Sequence, residues 1–224
     1  MSAESEIISL CDLNLIGIHG HAGVGKDTAA AWLQQTYEKV YGESFAAPLK
    51  TACAAAFGIP RKWFDDRTKK EEETWYGKSP RALAQYVGTE IFRTHFPGHW
   101  IKLLQARLTG ISAPPPGEGY YEKGDTVIIT DVRFQDEADW IISNGGVLIE
   151  IHRADCTGAV GIPGHASEAG IDISNFGPSY YPIVNNGTLE EFYATLEEVI
   201  NFYNCNRGWN MKKNPTAGYT DGDF

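Results

Sequence analysis

The sequence predicts an α/β fold in which five parallel β-strands form one sheet flanked by helices. Short apolar runs alternate along the chain with segments of helical periodicity, which is typical of parallel sheets with crossover helices. A glycine-rich turn joins the first apolar run to the first helical segment. The 224 residues are 42% hydrophobic and 21% charged, which are ordinary values for a globular protein and allow a substantial core. We therefore expect a single domain over residues 1–224.

Composition and charge exclude several classes of protein. No apolar run approaches the roughly 20 residues that cross a bilayer, and Ser2–Glu6 is acidic and polar, unlike a secretory signal. The net charge of −10 argues against a protein that coats nucleic acid. The four cysteines share no metal-binding or disulfide spacing: Cys11, Cys53, Cys156 and Cys205. We expect a soluble, cytoplasmic protein with reduced thiols and with neither nucleic-acid nor membrane partners.

The first half of the chain predicts two successive strand–helix pairs. They are Leu13–His19 with Lys26–Val40, and Ser44–Ala47 with Pro48–Phe57. Apolar residues recur at helical spacing in the longer helix. Gly42 is expected to cap the first helix and Gly58 the second, because glycine readily adopts the left-handed conformation found there.

A polar segment with two helices follows. Residues 59–78 are too charged for a core and predict an excursion over the edge of the sheet. Ser79 and Pro80 form a strong helix start, since a capping side chain precedes a proline at the first helical position. That helix is expected to reach Phe92, and a second helix is predicted over His99–Leu108.

The second half of the chain supplies the remaining strands. They are Asp125–Thr130, Val147–His152 and Tyr181–Asn185, with helices over Glu137–Ser143 and Leu189–Asn204. Residues 112–123 have the composition of a surface loop. The glycine-rich residues 154–177 predict a mobile flap, and residues 205–224 predict a loosely held polar tail.

The turn after the first strand carries the strongest functional motif. Residues 20–28, GHAGVGKDT, match the G-x-x-x-x-G-K phosphate-binding loop between a strand and a helix. Glycines let backbone N–H groups curl around an anion, and the helix N-terminus adds its positive dipole end. The lysine then reaches the β- and γ-phosphates of a nucleoside triphosphate. The expected contacts are Ala22, Gly23, Val24, Gly25, Lys26, Asp27 and Thr28.

Asp27 departs from the usual pattern, in which a serine or threonine that binds Mg²⁺ follows the lysine. A carboxylate is a hard oxygen ligand and suits Mg²⁺ at least as well. Alternatively, Asp27 acts as a base toward an acceptor while Thr28 binds the α-phosphate. The residues alone leave both alternatives open.

Asp131 ends an apolar strand and is expected on the magnesium side of the site. The alternative is an ordinary strand-end aspartate that caps a turn. Val132 and Arg133 follow it, where a hydrolytic ATPase usually has a second acid, and no Asn-Lys-x-Asp guanine-binding sequence occurs. The sequence therefore favours a kinase, which transfers a phosphoryl group to a bound acceptor.

Such a kinase must hold two anions together, so it needs cations beside the loop. Arg81 and Gln85 lie four residues apart on one helix face, which suits a phosphate contact beside a base contact. The other candidates are Lys50, Arg67, Arg93, Arg133 and Arg153, together with Glu168 in the flap. The alternative for each cation is a surface ion pair. The run KKEEE at 69–73 is expected to be a solvated helix face.

Several motifs, in this order, resemble those of the bacteriophage deoxynucleoside monophosphate kinases. They are GKDT at 25–28, PLK at 48–50, FDDR at 64–67, RALAQYVGTEIFR at 81–93, TDVRFQDEA at 130–138, HASE at 165–168 and NNGTLEEF at 185–192. The resemblance implies a P-loop nucleoside monophosphate kinase fold. Its core would lie at about 13–58, 111–153 and 178–204, its acceptor-binding insertion at 59–110 and its lid at 154–177.

The resemblance also implies the reaction, which is transfer from ATP to a deoxynucleoside monophosphate with Mg²⁺, in the host cytoplasm for a phage protein. It places Lys50, Arg67 and Arg133 near the acceptor. Arg81 with Gln85 is similar to the arginine–glutamine pair that nucleoside monophosphate kinases use on the acceptor. GKDT is common in the family, so Asp27 fits the pattern there.

We expect in-line transfer in which Lys26 and the loop amides bind ATP. Mg²⁺ would lie by Asp27, Thr28 and Asp131, and Arg133 and Arg153 would neutralise the charge of the moving group. Lid closure would exclude water. The alternatives are a P-loop kinase of another small acceptor, such as dephospho-coenzyme A, and a non-catalytic nucleotide-binding protein. The preferred base stays open, as does the choice between a monomer and a homodimer.

Overall fold

The computed structural model describes residues 8–112, 119–156 and 170–215. Five strands form one sheet in the order β2-β3-β1-β4-β5, and every neighbouring pair is parallel. The strands are β1 (Asn14–His19), β2 (Val40–Glu43), β3 (Thr126–Ile129), β4 (Val147–His152) and β5 (Tyr180–Val184). The predicted α/β class with a five-stranded parallel sheet is confirmed.

The central strands are apolar along their whole length because both faces of the sheet are covered. Leu15, Ile16 and Ile18 in β1 and Val127–Ile129 in β3 are fully buried. Continuous apolar strands of this kind are typical of a parallel sheet between two layers of helices. The sheet therefore forms the centre of the hydrophobic core.

Six α-helices cover the two faces: α1 (Lys26–Thr36), α2 (Ala47–Phe57), α3 (Pro80–Gln85), α4 (His99–Leu108), α5 (Gln135–Ser143) and α6 (Leu189–Arg207). Short 3₁₀ turns lie at Leu10–Asp12, Arg61–Phe64 and Gly177–Ser179, and α3 continues as a π-helix over Tyr86–Arg93. One core cluster joins the sheet to α1 and α6, and the other joins it to α2, α3, α4 and α5. Ser79 accepts a hydrogen bond from the Ala82 amide, which confirms the predicted start of α3.

The second strand was expected at Ser44–Ala47, and this prediction is wrong. The strand is Val40–Glu43, which pairs with Thr126–Ile129, so α1 ends at Thr36 rather than at Val40. Lys39 has a positive φ of 55° and turns the chain into the strand. Gly42 lies inside β2 rather than capping α1.

The tail predicted as loosely held from residue 205 is in fact packed as far as it is described. Helix α6 continues to Arg207, Met211 is buried, and the Trp209 ring lies 5.4 Å from that of Tyr203. Lys213 forms an isolated antiparallel bridge with Tyr37. Two apolar side chains and one bridge are enough to hold this segment, although its composition is mostly polar.

The described helices include none that is long and apolar enough to cross a membrane.

The centre of the predicted flap, residues 157–169, lies outside the described residues, and with it the Glu168 contact. Residues 170–177, at the C-terminal end of the predicted flap, are fixed to the core. The Gln135 side-chain amide exchanges hydrogen bonds with the backbone of Asp172 (2.7 and 3.1 Å), and Phe176 is buried.

Candidate active site

The turn between β1 and α1 has the backbone geometry that the glycine motif predicts. Gly20, Gly23 and Gly25 have positive φ values of 140°, 83° and 107°, which side chains other than glycine rarely adopt. A Cβ at Gly20 would lie 2.4 Å from the carbonyl oxygen of Ile151. The loop is therefore a close-fitting backbone turn that opens a helix, as an anion-binding loop requires.

Two side chains fix the shape of this loop. Asn185, at the end of β5, donates a 2.8 Å hydrogen bond from Nδ2 to the carbonyl oxygen of Val24. Lys26 donates from Nζ to the carbonyl oxygens of Gly20 and His21, both at 2.7 Å. The ammonium group is thus held across the loop itself. Asn185 lies in the NNGTLEEF motif, but its sequence gave no sign of this supporting role.

Asp27 and Thr28 occupy the first turn of α1, directly after the lysine. The Asp27 side chain is exposed and Thr28 is half-buried. Two oxygen-bearing side chains therefore lie beside the loop. Carboxylate and hydroxyl oxygens are ligands that Mg²⁺ accepts.

Asp131 follows β3 and holds the neighbouring loop in place. Its Oδ1 accepts from the Phe45 amide (2.9 Å), and its Oδ2 accepts from the Ala46 amide (2.8 Å) and the Ser44 hydroxyl (2.7 Å). Both oxygens are thus engaged by the β2–α2 loop, and the expected place of Asp131 on the magnesium side of the site stays a prediction. The structure places Asp131 as the residue that positions the β2–α2 loop.

A cavity lies between α2, α3 with its π-helix, and the start of α5. Its walls are largely apolar, from Phe45, Leu49, Phe64, Ala84, Trp100 and Phe134. Its cationic lining consists of Lys50, Lys70, Arg81, Arg93 and Arg133, and its other polar lining includes Gln85, Thr89, Asp131 and Glu137. An apolar cavity with a few converging polar groups is the usual form of a small-molecule site.

Five of the eight candidates that the sequence offers beside the loop line this cavity: Lys50, Arg81, Gln85, Arg93 and Arg133. Arg67 does not, because it lies exposed on the excursion between residues 61 and 78. Lys70 lines the cavity although the sequence assigned it to a solvated face. Nothing in the order of charges along residues 69–73 shows which of the two lysines faces the cavity.

Gln85 is the most unusual side chain in the cavity. Its Oε1 and Nε2 atoms are both buried and have no hydrogen-bond partner in the described part of the chain. A buried polar group without a partner costs about 1–3 kcal/mol. Such a group in a cavity wall is explained when a ligand supplies the missing hydrogen bonds.

Two basic side chains of the cavity have carboxylate partners on the inserted segment. Lys50 Nζ lies 2.9 Å from Asp65 Oδ1, and Arg81 Nε lies 2.6 Å from Glu71 Oε1. Both partners are well exposed to solvent. Because both carboxylates are on the solvent side of these pairs, the phosphate of a bound ligand can replace them as the partner of each cation.

Arg93 lines the cavity and is also held by two carboxylates, so its predicted contact with the substrate stays a prediction. Its guanidinium donates to Asp136 (2.8 and 2.9 Å) and to Glu137, and it lies 3.6 Å from the centre of the Phe134 ring. Only 16% of its side chain is exposed. Arg93 therefore links the end of the π-helix to the start of α5 and stabilises this part of the cavity wall.

Glu137 connects Arg93 to the turn that carries Arg133. Its Oε2 accepts hydrogen bonds from the backbone amides of Arg133 (2.9 Å) and Phe134 (3.1 Å). Burial raises the pKa of Glu137 to about 7, and the Arg93 charge opposes this rise. The carboxyl group thus fixes the turn after Asp131 that brings Arg133 to the cavity.

Arg153 follows β4 and is exposed where the chain enters the predicted flap. Its carbonyl oxygen accepts a hydrogen bond from the Cys156 amide (3.1 Å), and a Cβ at Gly23 would lie 3.4 Å from Cys156 Sγ. The segment that carries Arg153 therefore passes beside the phosphate-binding loop. The role of its guanidinium in transfer stays a prediction.

Comparison with known proteins identifies the family. A family model described as deoxynucleotide monophosphate kinase matches residues 63–196. A protein of Acanthamoeba polyphaga mimivirus, named provisionally as a deoxynucleotide monophosphate kinase, is 34% identical over 196 residues, which cover 81% of this chain and 93% of the relative.

Two phage proteins are also similar. The deoxynucleoside-5'-monophosphate kinase of Escherichia phage T5 is 34% identical over 68 residues, 28% of this chain and 27% of the relative. The deoxynucleotide monophosphate kinase of Escherichia phage RB69 is 24% identical over 170 residues, 75% and 63% of the two chains. The loop, the cavity and these matches lead to one conclusion: this chain belongs to the deoxynucleotide monophosphate kinase family.

Proposed function

We propose that the protein transfers the γ-phosphoryl group of ATP to a deoxynucleoside monophosphate, giving ADP and a deoxynucleoside diphosphate. The observation that carries the proposal is the cavity whose wall combines several cations with the unpartnered Gln85 amide. A nucleoside monophosphate presents one anionic and one hydrogen-bonding end, which this lining complements. The product is a DNA precursor, formed in the cytoplasm of an infected host.

The phosphate-binding loop holds the donor. The backbone amides of residues 22–28 surround its phosphates, and the N-terminus of α1 adds a favourable dipole. Lys26 releases the carbonyl oxygens of Gly20 and His21 and binds the β- and γ-phosphates instead. Asn185 keeps the loop in its binding shape through Val24.

The cavity holds the acceptor. Its base lies between apolar walls that include Leu49 and Trp100, where Gln85 supplies one hydrogen-bond acceptor and two donors. Its phosphate lies near Lys50, Arg81 and Arg133. The acceptor phosphate is largely a dianion at neutral pH, since its second pKa is about 6, so its oxygen needs no base to attack.

Mg²⁺ fits the oxygen donors beside the loop. In the described part of the chain, no group of three histidine, cysteine, aspartate or glutamate side chains could hold a metal. Mg²⁺ commonly takes only one or two protein oxygens and completes its shell with phosphates and water. We propose Asp27 and Thr28 as those ligands. The ion would reduce the charge on the transferring phosphates.

Transfer then depends on cations placed where charge develops. Arg133, fixed by Glu137, and Arg153, beside the loop, neutralise the moving phosphoryl group. Water has to be excluded during transfer, because it would otherwise be phosphorylated in place of the acceptor.

A coupled ADP-release assay tests the proposal. The protein is given ATP and Mg²⁺ with each of the four deoxynucleoside monophosphates, the four ribonucleotide counterparts and dephospho-coenzyme A. We expect ADP release that requires a deoxynucleoside monophosphate and that is lost in Lys26→Ala. ADP release only with another acceptor, or ATP binding without acceptor-dependent release, would overturn the proposal.

A further inference from the structure

The charged run at residues 69–73 does not behave as one solvated face. Lys69 points outward, since its Nζ lies 2.7 Å from Glu72 Oε2 and 5.5 Å from the centre of the Trp63 ring. Lys70, the next residue, instead lines the cavity that holds the acceptor in the proposed function. Two adjacent lysines of identical chemistry therefore face different environments.

Backbone hydrogen bonds fix Lys70 in this orientation. Its amide donates to the carbonyl oxygen of Asp66 (3.2 Å), and its own carbonyl oxygen accepts from the amide of Arg81 (3.0 Å). The second bond ties the excursion to the first turn of α3. This bond fixes the backbones of Lys70 and Arg81 relative to each other, and both residues line the cavity.

The Lys70 ammonium differs from the other cations in the cavity. Lys50, Arg81 and Arg93 each form an ion pair with a carboxylate. Across residues 8–112, 119–156 and 170–215, the Lys70 ammonium makes no hydrogen bond and no ion pair. A half-buried ammonium without such a partner is complementary to an anionic ligand.

Charges of both signs act on Lys70. Burial lowers the pKa of Lys70, and the neighbouring charges of Arg81 and Lys50 lower it further, whereas Glu71 and Asp27 raise it. Asp27, which follows the donor-binding lysine, is thus among the charges that act on Lys70, together with the cations of the cavity.

We propose that the Lys70 ammonium binds the phosphate of the acceptor and is a catalytic residue of the transfer. This inference rests on the proposed function and adds a residue to it. The acceptor monophosphate and the triphosphate of ATP are both anions, so they repel each other as they approach. A cation between them lowers that repulsion and holds the attacking oxygen towards the donor.

The test compares Lys70→Ala with Lys69→Ala, a matched control that removes the same side chain one residue away. Calorimetry measures binding of a deoxynucleoside monophosphate and of the corresponding deoxynucleoside, which lacks the phosphate. We expect Lys70→Ala to weaken monophosphate binding by about 10-fold to 100-fold, the usual effect of losing a hydrogen bond to a charged group. Deoxynucleoside binding should be unchanged, and Lys69→Ala should match the unmodified protein in both measurements.

Steady-state kinetics on the same variants shows whether Lys70 also acts in transfer. We expect Lys70→Ala to lower kcat as well as raise the KM for the acceptor, to leave the KM for ATP unchanged, and to be partly rescued in Lys70→Arg. Thermal unfolding identifies a folding defect, in which case Lys70→Met, which keeps the aliphatic stem, replaces alanine.

The outcomes separate this inference from the proposed function. If the unmodified protein phosphorylates deoxynucleoside monophosphates and Lys70→Ala equals Lys69→Ala, Lys70 has no such role and the proposed function stands. If the unmodified protein phosphorylates no deoxynucleoside monophosphate, the proposed function fails and the catalytic role of Lys70 fails with it. Equal weakening of monophosphate and deoxynucleoside binding would also overturn the inference, because the lysine would then merely support the cavity.

Discussion

At the scale of single residues, Gln85 gives the clearest evidence that the cavity is built for a ligand. Its two amide atoms are buried without a partner in the described structure, so the protein without a bound nucleotide is less stable than it could be. We predict that Gln85→Met, which keeps the size of the side chain, raises the free energy of unfolding by about 1–2 kcal/mol. The same variant should bind deoxynucleoside monophosphates at least about 10-fold more weakly.

Gln135→Met is the matched control, because the Gln135 amide already exchanges hydrogen bonds with Asp172 and donates to Asp139. That variant should be destabilised and should bind the acceptor normally. Urea unfolding and calorimetry give both quantities. If Gln85→Met were less stable than the unmodified protein, the amide would have a partner that stabilises the fold, and its role as a ligand contact would be in doubt.

Glu137 predicts a pH dependence of stability. Burial raises the pKa of Glu137 to about 7 in the folded protein, whereas the unfolded chain should have the ordinary value near 4.5. The folded state therefore binds this proton more tightly, and its contribution to stability is complete below pH 4.5 and is lost as the pH rises through about 7.

Urea unfolding of the unmodified protein and of Glu137→Gln between pH 4.5 and 8 measures this contribution, because other titrating groups cancel in the difference. The stability of the unmodified protein relative to the variant should fall by about 3 kcal/mol up to pH 7 and then stay level. A difference that rises with pH would mean that Arg93 keeps Glu137 ionised throughout.

At the scale of elements, the phosphate-binding loop depends on close packing as well as on glycine conformations. Gly25 has a φ of 107°, and a Cβ there would lie 2.7 Å from Asn185 Nδ2, which positions Val24. Gly25→Ala should therefore weaken ATP binding by at least about 10-fold.

Gly58→Ala is its control, since Gly58 has a φ of 66° with no atom within 4 Å of the added Cβ. Both substitutions strain the backbone by about 1 kcal/mol, but Gly58→Ala should bind ATP normally. Calorimetric titration with ATP compares the two. Equal ATP affinities would show that the contact between Asn185 and the loop has no role in binding.

The segment after α6 should contribute to the stability of the fold through a buried side chain. Met211 is buried against the core cluster that includes α1 and α6, whereas Lys212 is exposed. Met211→Ala should lower the free energy of unfolding by about 2–4 kcal/mol, and Lys212→Ala should change it little. Chemical denaturation of both variants measures the difference. If neither variant lost stability, the segment would be loosely held, as its composition alone suggests.

The elements that the sequence predicted well are those with strong local signals. The apolar strands β1, β3 and β4, the Ser79–Pro80 helix start and the glycine-rich loop depend on neighbouring residues only. Strand β2 depends instead on its partner β3, and residues 44–46 next to it form a loop because Asp131 binds them. Such contacts between distant residues leave no local pattern.

In the candidate site too, some features follow from the local sequence and others only from tertiary packing. The loop and the arginine–glutamine pair on α3 follow from spacing: the loop has the expected glycine conformations, and both members of the pair line the cavity. The inward turn of Lys70 rather than Lys69, and the enclosure of Arg93 by Asp136 and Glu137, follow from tertiary packing. Charge patterns show that a cation is present, but only the folded chain shows which carboxylate it meets.

At the scale of the whole molecule, the proposed reaction requires the phosphate-binding loop and the cavity to be parts of one site. In the proposed function, the loop after β1 binds the donor and the cavity between α2, α3 and α5 binds the acceptor. Lys70 and Arg133 lie on the cavity wall between them in the proposed arrangement. Two separate nucleotide sites would give binding without transfer, whereas two halves of one site give a kinase.

The most direct measurement of this relation is the affinity of a compound in which adenosine and a deoxynucleoside are joined through a polyphosphate chain. If the loop and the cavity are halves of one site, the compound should bind at least about 100-fold more tightly than ATP or the monophosphate alone. Lys26→Ala and Gln85→Ala should each abolish that gain. Binding no tighter than that of ATP, and unaffected by Gln85→Ala, would show that the cavity is not the acceptor site and would contradict the account.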